Sequence, residues 1–529
     1  MSGDFFFRTE DIRREEVLDY YVEGPSDRTV VDALRSRTPV VLEGSRGVGK
    51  SFLLRVAESR MRADFGSKKI LPIYLTFAVA TLIQNPTPAR FRSWMMARIV
   101  ASVLKGAADM GLVLRPGSAL DLLSPAVDGQ VTAMEALAKR YEDSWQSTIN
   151  QDTAEPVPTA EEVLEAIAEF CADHGLARIV LLIDEAAHVF IPSQQRQFFT
   201  LMRSLRSPYL VIKAAVYPGV TSFGDHFQPV HDATFVSVDR KVNESNYLSQ
   251  MRSIVTTQDS SITNEVTRNG QVFDVLAYAS TGNPRVLLKT LLSAGRVNTS
   301  AVTEVFRTYY REEIWSEHSA LADKYPGHEP LIAWGRNFIE SEVLPNLYER
   351  NSKNPAETSS YLWVHRDAPA AVKESLRLLC YSGILQEGTT GIKATRSEIG
   401  TRYVVSLGCQ FALDSGPVNY GAAIMKDLSI KRMVEYGAKH PAYQSLSVAL
   451  DATFEAPNAS VAEQLEKSLD LLDLSQFMRS AMREIGLETI GDVLRADADV
   501  LMSAHYVGAV RASRTKNTAH AAVYEFLSG

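Results

Sequence analysis

Cysteine is scarce in this chain: Cys171, Cys380 and Cys409 are the only three in 529 residues. They lie far apart and have no Cys or His neighbour at ligand spacing, which argues against a disulfide framework and a zinc site and predicts a reducing compartment. Basic charge is not in excess either. The 55 Lys and Arg against 63 Asp and Glu leave a formal net charge of -8, so contact with nucleic acid has to come from local patches rather than the whole surface. No run approaches the ~18 consecutive apolar residues that span a bilayer, and the N-terminal Met1-Ser-Gly-Asp-Phe-Phe-Phe lacks the basic-then-apolar layout of a secretory signal. The expectation is a cytoplasmic chain with no membrane partner. Its length exceeds a single core and predicts about three or four domains.

What is present begins at Pro39. Pro39 to Glu43 reads as a short apolar strand, and Gly44-Ser-Arg-Gly-Val-Gly-Lys-Ser51 follows as a glycine-rich turn running into a helix. This is the layout of a Walker A phosphate loop: backbone amides wrap phosphate oxygens and the helix N-terminus favours anions. Gly44, Ser45, Arg46, Gly47, Val48, Gly49, Lys50, Ser51 and Phe52 form the expected nucleotide-binding stretch. Lys50 is expected on the β and γ phosphates of ATP and Ser51 on Mg2+.

Ile179-Val-Leu-Leu-Ile-Asp184-Glu185 supplies a second element. Five apolar residues in a row describe a central parallel strand covered on both faces, and acids at its carboxyl end fall where open α/β sheets bind ligands. Asp184 is the candidate magnesium ligand and Glu185 the candidate base for an attacking water. A solvated acidic turn is the bland alternative.

Further strands are expected at Ile70–Thr76, Tyr209–Val216 and Thr234–Val238, with Pro72 marking an edge because proline cannot donate to a ladder. Helices are expected over 89–110, 160–173 and 194–205, with a helical insertion and connector between. Residues 9–36 read as charged and helix-prone, with Tyr20, Tyr21 and Val22 set beside the base of the nucleotide. Alternating strands and helices predict a three-layer parallel sheet.

With these motifs the chain resembles the AAA+ ATPases over roughly residues 1 to 300, and more closely the branch of origin-recognition initiators and STAND signalling ATPases. In that family the strand beside the acidic pair ends in a polar sensor of the γ-phosphate; here Tyr217 stands in that place and either serves as a sensor or caps the sheet. Ser280-Thr-Gly-Asn-Pro-Arg285 reads locally as a helix start, with Asn283 as cap and Pro284 at the first position. It is also similar to the family's second-sensor motif, which makes Arg285 the expected lid arginine on the phosphates. No arginine sits in a diagnostic finger motif; Arg203, Arg206 and Arg240 are expected to be solvated surface residues.

Beyond the lid, Ala368 to Gly383 reads as a helix with a glycine stop, and Gln386–Ile392 with Arg402–Leu407 as a β-ribbon. Together they resemble a winged helix. Six basic residues (Arg366, Lys373, Arg377, Lys393, Arg396, Arg402) face four acids there, and Lys393 and Arg396 are the candidate phosphate contacts. Asp451–Ser460 reads as a linker. Leu469–Ser475, Ile485–Leu494 and Tyr506-Val-Gly508 resemble the C-terminal domain of the bacterial RNA polymerase alpha subunit, a helix-hairpin-helix fold with Gly486, Gly491 and Gly508 at tight hairpins and Arg511, Arg514 and Lys516 as a basic edge. The module is neutral overall, so DNA-phosphate contact and protein docking or self-association both stand as readings of it.

The expected fold class is therefore α/β: a three-layer parallel-sheet P-loop ATPase core with a helical lid, then a winged-helix-like domain and a small all-α helix-hairpin-helix domain. The expected boundaries are a core over 1–245 with an insertion at about 88–160, a lid over 246–300, a connector and winged-helix-like domain over 301–415, a connector and linker over 416–464, and the last domain over 465–529. The expected function is a bacterial, DNA-associated, homo-oligomeric ATPase that uses ATP and Mg2+ to switch its contacts. The alternative is a STAND-like regulator in an antiphage module that gates a separate protein effector.

Overall fold

A computed structural model describes residues 5–78, 88–127, 131–143, 157–186, 192–218, 221, 223–224, 227–324, 328–393, 398–446, 462, 464–472 and 474–528. The chain forms two compact units, Met1–Ala301 and Val302–Gly529. The expected linker at Asp451–Ser460 lies outside the described residues.

The first unit is built on five parallel strands: β1 (Val40–Glu43), β2 (Ile70–Thr76), β3 (Arg178–Asp184), β4 (Leu210–Val216) and β5 (Thr234–Ser237), in the order β2-β3-β4-β1-β5. β3 and β4 are buried along their whole length. That is why they read as unbroken apolar runs: helices cover both faces. Ile179, Leu181 and Ile183 face one core with Trp94 and Phe198, while Val180 and Leu182 face another with Val31, Leu53 and Val56. β2 is an edge strand paired only with β3, and Pro72 therefore leaves no ladder position empty.

The register sets where the strands end. Leu42 pairs with Ala215, and Ile183 with Ala214, so Asp184 ends β3 level with the end of β1. With β4 between them, β1 and β3 stand about 9.5 Å apart. Between β2 and β3 the insertion contributes helices Pro88–Asp109, Ala119–Leu123 and Ala133–Glu142, followed by Ala160–Asp173, whose start is closed by a Thr159/Glu162 capping box. Residues 9–36 are less helical than their composition suggests, with one 3-10 turn at Thr9–Asp11 and one helix at Pro25–Arg35. The lid comprises helices Tyr247–Gln258, Thr263–Arg268, Gly270–Ala279 and Pro284–Ala294.

Inside the sheet, Lys213 is fully buried on β4. Its ammonium donates to the carbonyls of Ala33 and Ser36 at 3.0 and 3.1 Å and to that of Thr38. It thus satisfies carbonyls at the end of helix Pro25–Arg35, where the helix dipole favours a cation.

The second unit carries a sheet of order β7-β8-β6-β9, with β6 at Tyr361–His365, β7 at Leu385–Lys393, β8 at Ile399–Val405 and β9 at Val434–Tyr436. Helix Ala370–Ser382 ends at Gly383, whose φ of 78° closes the helix before the antiparallel β7–β8 ribbon. The winged-helix-like arrangement is present, with β9 added parallel to β6. The last segment folds as helices Gln476–Glu484, Ile490–Arg495, Ala498–Met502 and Ala509–Ser528. Of the three glycines expected at tight hairpins, only Gly486 takes a left-handed turn, with φ 82°. Gly491 instead lies within a helix, where a Cβ would come 2.9 Å from the Leu465 carbonyl, and Gly508 precedes the final helix.

His318, fully buried on helix Ile314–Ser319, places Nδ1 2.7 Å from Ser382 Oγ, and burial pushes its pKa down to about 4. The native state therefore refuses a proton that the unfolded chain accepts below 6.5, and stability is lost as pH falls through that window toward 4. The full effect is on the order of 3 kcal/mol. Burial moves His328 and His520 in the same direction. Urea midpoints at pH 7.5 and pH 5 should show His318→Gln losing less stability on acidification than wild type; equal losses would remove His318 as a contributor.

Candidate nucleotide and metal site

The loop after β1 is shaped by two glycines. Gly47 and Gly49 have φ of 90° and 103°, a region L side chains avoid. At Gly47 a Cβ would also lie 2.8 Å from Asn283 Oδ1 of the lid. Helix Lys50–Ala63 begins immediately after, so the loop amides and the helix N-terminus face the same space. Lys50 is 7% exposed. Its ammonium donates to the Gly44 and Ser45 carbonyls at 2.6 and 3.0 Å and lies 3.9 Å from the centre of the Tyr217 ring. Burial lowers its pKa to about 8, against the pull of Asp184 and Asp239.

Asp184 and Glu185 project at the matching end of β3. Asp184 is 3% exposed, and both of its oxygens are engaged: Oδ1 accepts the Glu185 amide at 3.0 Å and Oδ2 the Tyr74 hydroxyl at 2.8 Å. Burial, then Asp184, raises the Tyr74 pKa, so the hydroxyl remains a donor. Glu185 adopts φ 53°, a left-handed conformation rare for a glutamate and of the kind that concentrates at functional sites. Burial, then the neighbouring Asp184 charge, raises its pKa, the direction that suits a proton acceptor working near neutrality.

The lid closes the third side. Asn283 caps helix Pro284–Ala294 by accepting from the Val286 amide, and its Nδ2 donates to the Arg46 carbonyl at 2.7 Å. Arg285 Nε donates to the Phe7 carbonyl at 2.9 Å, which brings the N-terminal segment into the site. Lys50, Ser51, Asp184, Glu185 and Arg285 line one cavity of about 370 Å³, a size typical of ligand pockets. The same cavity is lined by Phe6, Tyr20, Tyr21, Phe52 and Ile254, with Phe6 edge-on to Tyr20 at 5.1 Å. A glycine-rich loop at a helix N-terminus and aromatic side chains lining one cavity match the phosphates and base of a nucleotide.

Ser51 and Asp184 both line this cavity. Among the described residues no group of three or more His, Cys, Asp or Glu could hold a metal. A hydroxyl and one carboxylate beside a phosphate site is the donor set that fits Mg2+, which binds through few protein ligands together with phosphate oxygens.

Three placements differ from or sharpen the sequence reading. Arg240 is not a solvated surface arginine. It is 7% exposed, donates to the Val48 carbonyl at 2.8 Å and pairs with the buried Asp27 at 2.8 Å, while Gln250 of the lid donates to the other Asp27 oxygen. Burial pushes the Asp27 carboxyl up and the Arg240 charge opposes it. A single cluster thus ties helix Pro25–Arg35, the phosphate loop and the lid together. Arg203 and Arg206 are exposed, Arg203 lying 3.9 Å from Asp232. Tyr217 lies in the cavity under Lys50 rather than only capping the sheet.

In the second unit the basic candidates are dispersed. Lys373 donates to the Arg366 carbonyl, Arg377 pairs with Glu374, and Arg402 donates to the Ile430 carbonyl. Lys393 is exposed on β7, and Arg396 lies outside the described residues. Helix Ala370–Ser382 packs against the final helix. Of the expected basic edge, Arg511 donates to the Tyr506 carbonyl at 2.6 Å and Lys516 to that of Ala496 at 3.0 Å; Arg514 is exposed.

No protein-family model matches the sequence, and it shows no match among curated proteins. Solved structures similar to the chain include the Aeropyrum pernix ORC1 protein in complex with DNA (14% identity, 78% of this chain and 94% of that one, TM-score 0.31). The Aeropyrum pernix ORC2 protein is similar at 10% identity over 82% and 98% of the two chains, TM-score 0.33. Thermotoga maritima RuvB is similar at 13% identity over 74% and 93%, TM-score 0.29. At such values the fold class rests on the strand order and loop geometry of the chain itself. Among the described residues no helix is long and apolar enough to cross a membrane.

Replacing Arg240 by Ala leaves the buried Asp27 carboxylate without its cation and should cost about 3–5 kcal/mol. The urea midpoint of Arg240→Ala measures this, and an unchanged midpoint would show that the pair contributes nothing.

Proposed function

We propose that this chain is an AAA+-type ATPase whose nucleotide state switches its contacts with a partner. The observation that carries the reading is the convergence of Lys50, Ser51, Asp184, Glu185 and Arg285 on one cavity that Phe6, Tyr20, Tyr21 and Phe52 also line. In this reading the loop amides and Lys50 hold the phosphates of ATP, and Ser51 and Asp184 hold Mg2+, which neutralises phosphate charge. Glu185 accepts a proton from the attacking water, and Arg285 contacts phosphate from the lid. ATP drives a rearrangement only as far as one arrangement binds it better, and a lid arginine bonded to the N-terminal segment is a device for that difference.

Double-stranded DNA is the first partner reading, through the β7–β8 ribbon with Lys393 and through the C-terminal module. A protein partner is the second, and one observation favours it at the C-terminal module. Tyr506 and Val510 are 73% and 84% exposed, and Val500 and Met502 of the same module are exposed as well. Surface of that kind serves protein docking more readily than phosphate contact. A homo-oligomer belongs to the proposal through the family resemblance alone.

Lys50→Ala should lose nucleotide binding, while Glu185→Gln should bind ATP and hydrolyse it about 100-fold more slowly. Titration with fluorescent nucleotide and phosphate-release rates decide this, and wild-type turnover in Glu185→Gln would remove the proposed base. The same rates with and without double-stranded DNA at two salt concentrations separate the partners. Salt-sensitive stimulation supports DNA, and indifference moves the reading to a protein effector.

A further inference from the structure

Asp184 is held from two sides, and one of the holders lies outside the phosphate loop and the acidic motif. Tyr74 stands on β2, opposite Leu182, and Thr76 pairs with Asp184. The Tyr74 side chain reaches along the strand by one diagonal step to place its hydroxyl 2.8 Å from Asp184 Oδ2. The ring is itself fixed. Arg55 stacks its guanidinium 3.8 Å from the ring centre, and Arg55 Nη1 lies 3.3 Å from Glu58. Glu58 is fully buried and also pairs with Arg62 at 3.4 Å and with Arg14 of the N-terminal segment. Arg55, Glu58 and Arg62 all belong to the helix that begins at Lys50 and Ser51.

We infer that Tyr74 is a positioning residue that orients the Asp184 carboxylate for a divalent cation, held in place by the Arg55–Glu58 pair. The inference rests on the nucleotide and magnesium reading of the same cavity. The chemistry is simple. A carboxylate with one oxygen on a backbone amide and the other on a phenol cannot rotate freely, and it keeps the remaining lone pairs of both oxygens for a cation. Both proposed metal-holding residues then answer to one helix: Ser51 through its backbone, Asp184 through Arg55 and Tyr74. Partners of this kind behind a metal ligand typically change metal affinity by about 10- to 100-fold.

The test is Mn2+ binding, followed by electron paramagnetic resonance, to the full chain with a non-hydrolysable ATP analogue. Tyr74→Phe removes the hydroxyl and keeps the ring under Arg55. The expected result is Mn2+ binding weakened about tenfold with the analogue's metal-free affinity unchanged. Half-maximal hydrolysis should need correspondingly more Mg2+, with kcat at saturating Mg2+ close to wild type. Arg55→Gln, which keeps the hydroxyl but loosens the ring, should shift Mn2+ binding in the same direction by less. It serves as the readout if Tyr74→Phe does not fold. Wild-type Mn2+ affinity in a folded Tyr74→Phe, or in Arg55→Gln where that variant is the readout, overturns the role. Failure of the wild-type chain to bind Mn2+ with the analogue would overturn the nucleotide reading as well.

Discussion

Everything in the first unit depends on the level at which three strands end. The pairing of β1 with β4 and of β4 with β3 sets the phosphate loop and Asp184 at the carboxyl ends of the strands, two strand spacings apart. That separation is a property of hydrogen-bonded parallel strands, not of either motif. Because β3 and β4 are buried on both faces, a slip in register would carry apolar side chains out of two cores at once. The site is therefore as rigid as the sheet.

Charge inside this unit is organised in clusters rather than spread. Asp27, Arg240 and Gln250 join a helix, the phosphate loop and the lid, and Asp27 and Arg240 line the cavity. Glu58 gathers Arg14, Arg55 and Arg62. Buried ion pairs of this kind add little net stability, since desolvation offsets most of the attraction, yet each is costly to break in part. Their effect here is to make the surroundings of Lys50 and Asp184 depend on segments distant in sequence. Arg285, bonded to the Phe7 carbonyl, extends the same dependence to the lid.

The second unit shows how a resemblance can hold for shape and differ in surface. The helix, glycine stop and ribbon form as the residue pattern implies, because Gly383 tolerates the left-handed turn and β-ribbon residues pair across β7 and β8. The surface obeys different rules. Arg377, Arg402, Arg511 and Lys516 carry the residue types of a basic face, and each gives one donor to a nearby carboxylate or carbonyl. Exposed apolar side chains at Tyr506 and Val510 occupy the neighbouring surface.

By itself the sequence determined the parts whose physics is local. A glycine-rich turn before Lys50-Ser51, the apolar run into Asp184-Glu185, the cap at Asn283 and the edge proline at Pro72 each state their conformation within a few residues, since backbone freedom, strand burial and helix starts are short-range effects. Composition alone misled for residues 9–36, where charge density suggested more helix than forms, and for Arg240, whose charge suggested solvent. Tyr74 gave no signal, because a tyrosine in an apolar strand reads as core until its neighbour across the ladder is known. Only the tertiary structure decided which side chains share the cavity, that Arg240 is buried on Asp27 and that Tyr74 bonds Asp184, because these join residues far apart in sequence, 110 positions for Tyr74 and Asp184 and 213 for Asp27 and Arg240. No local pattern encodes contacts at that range; they exist once the sheet order and register bring the strand ends together.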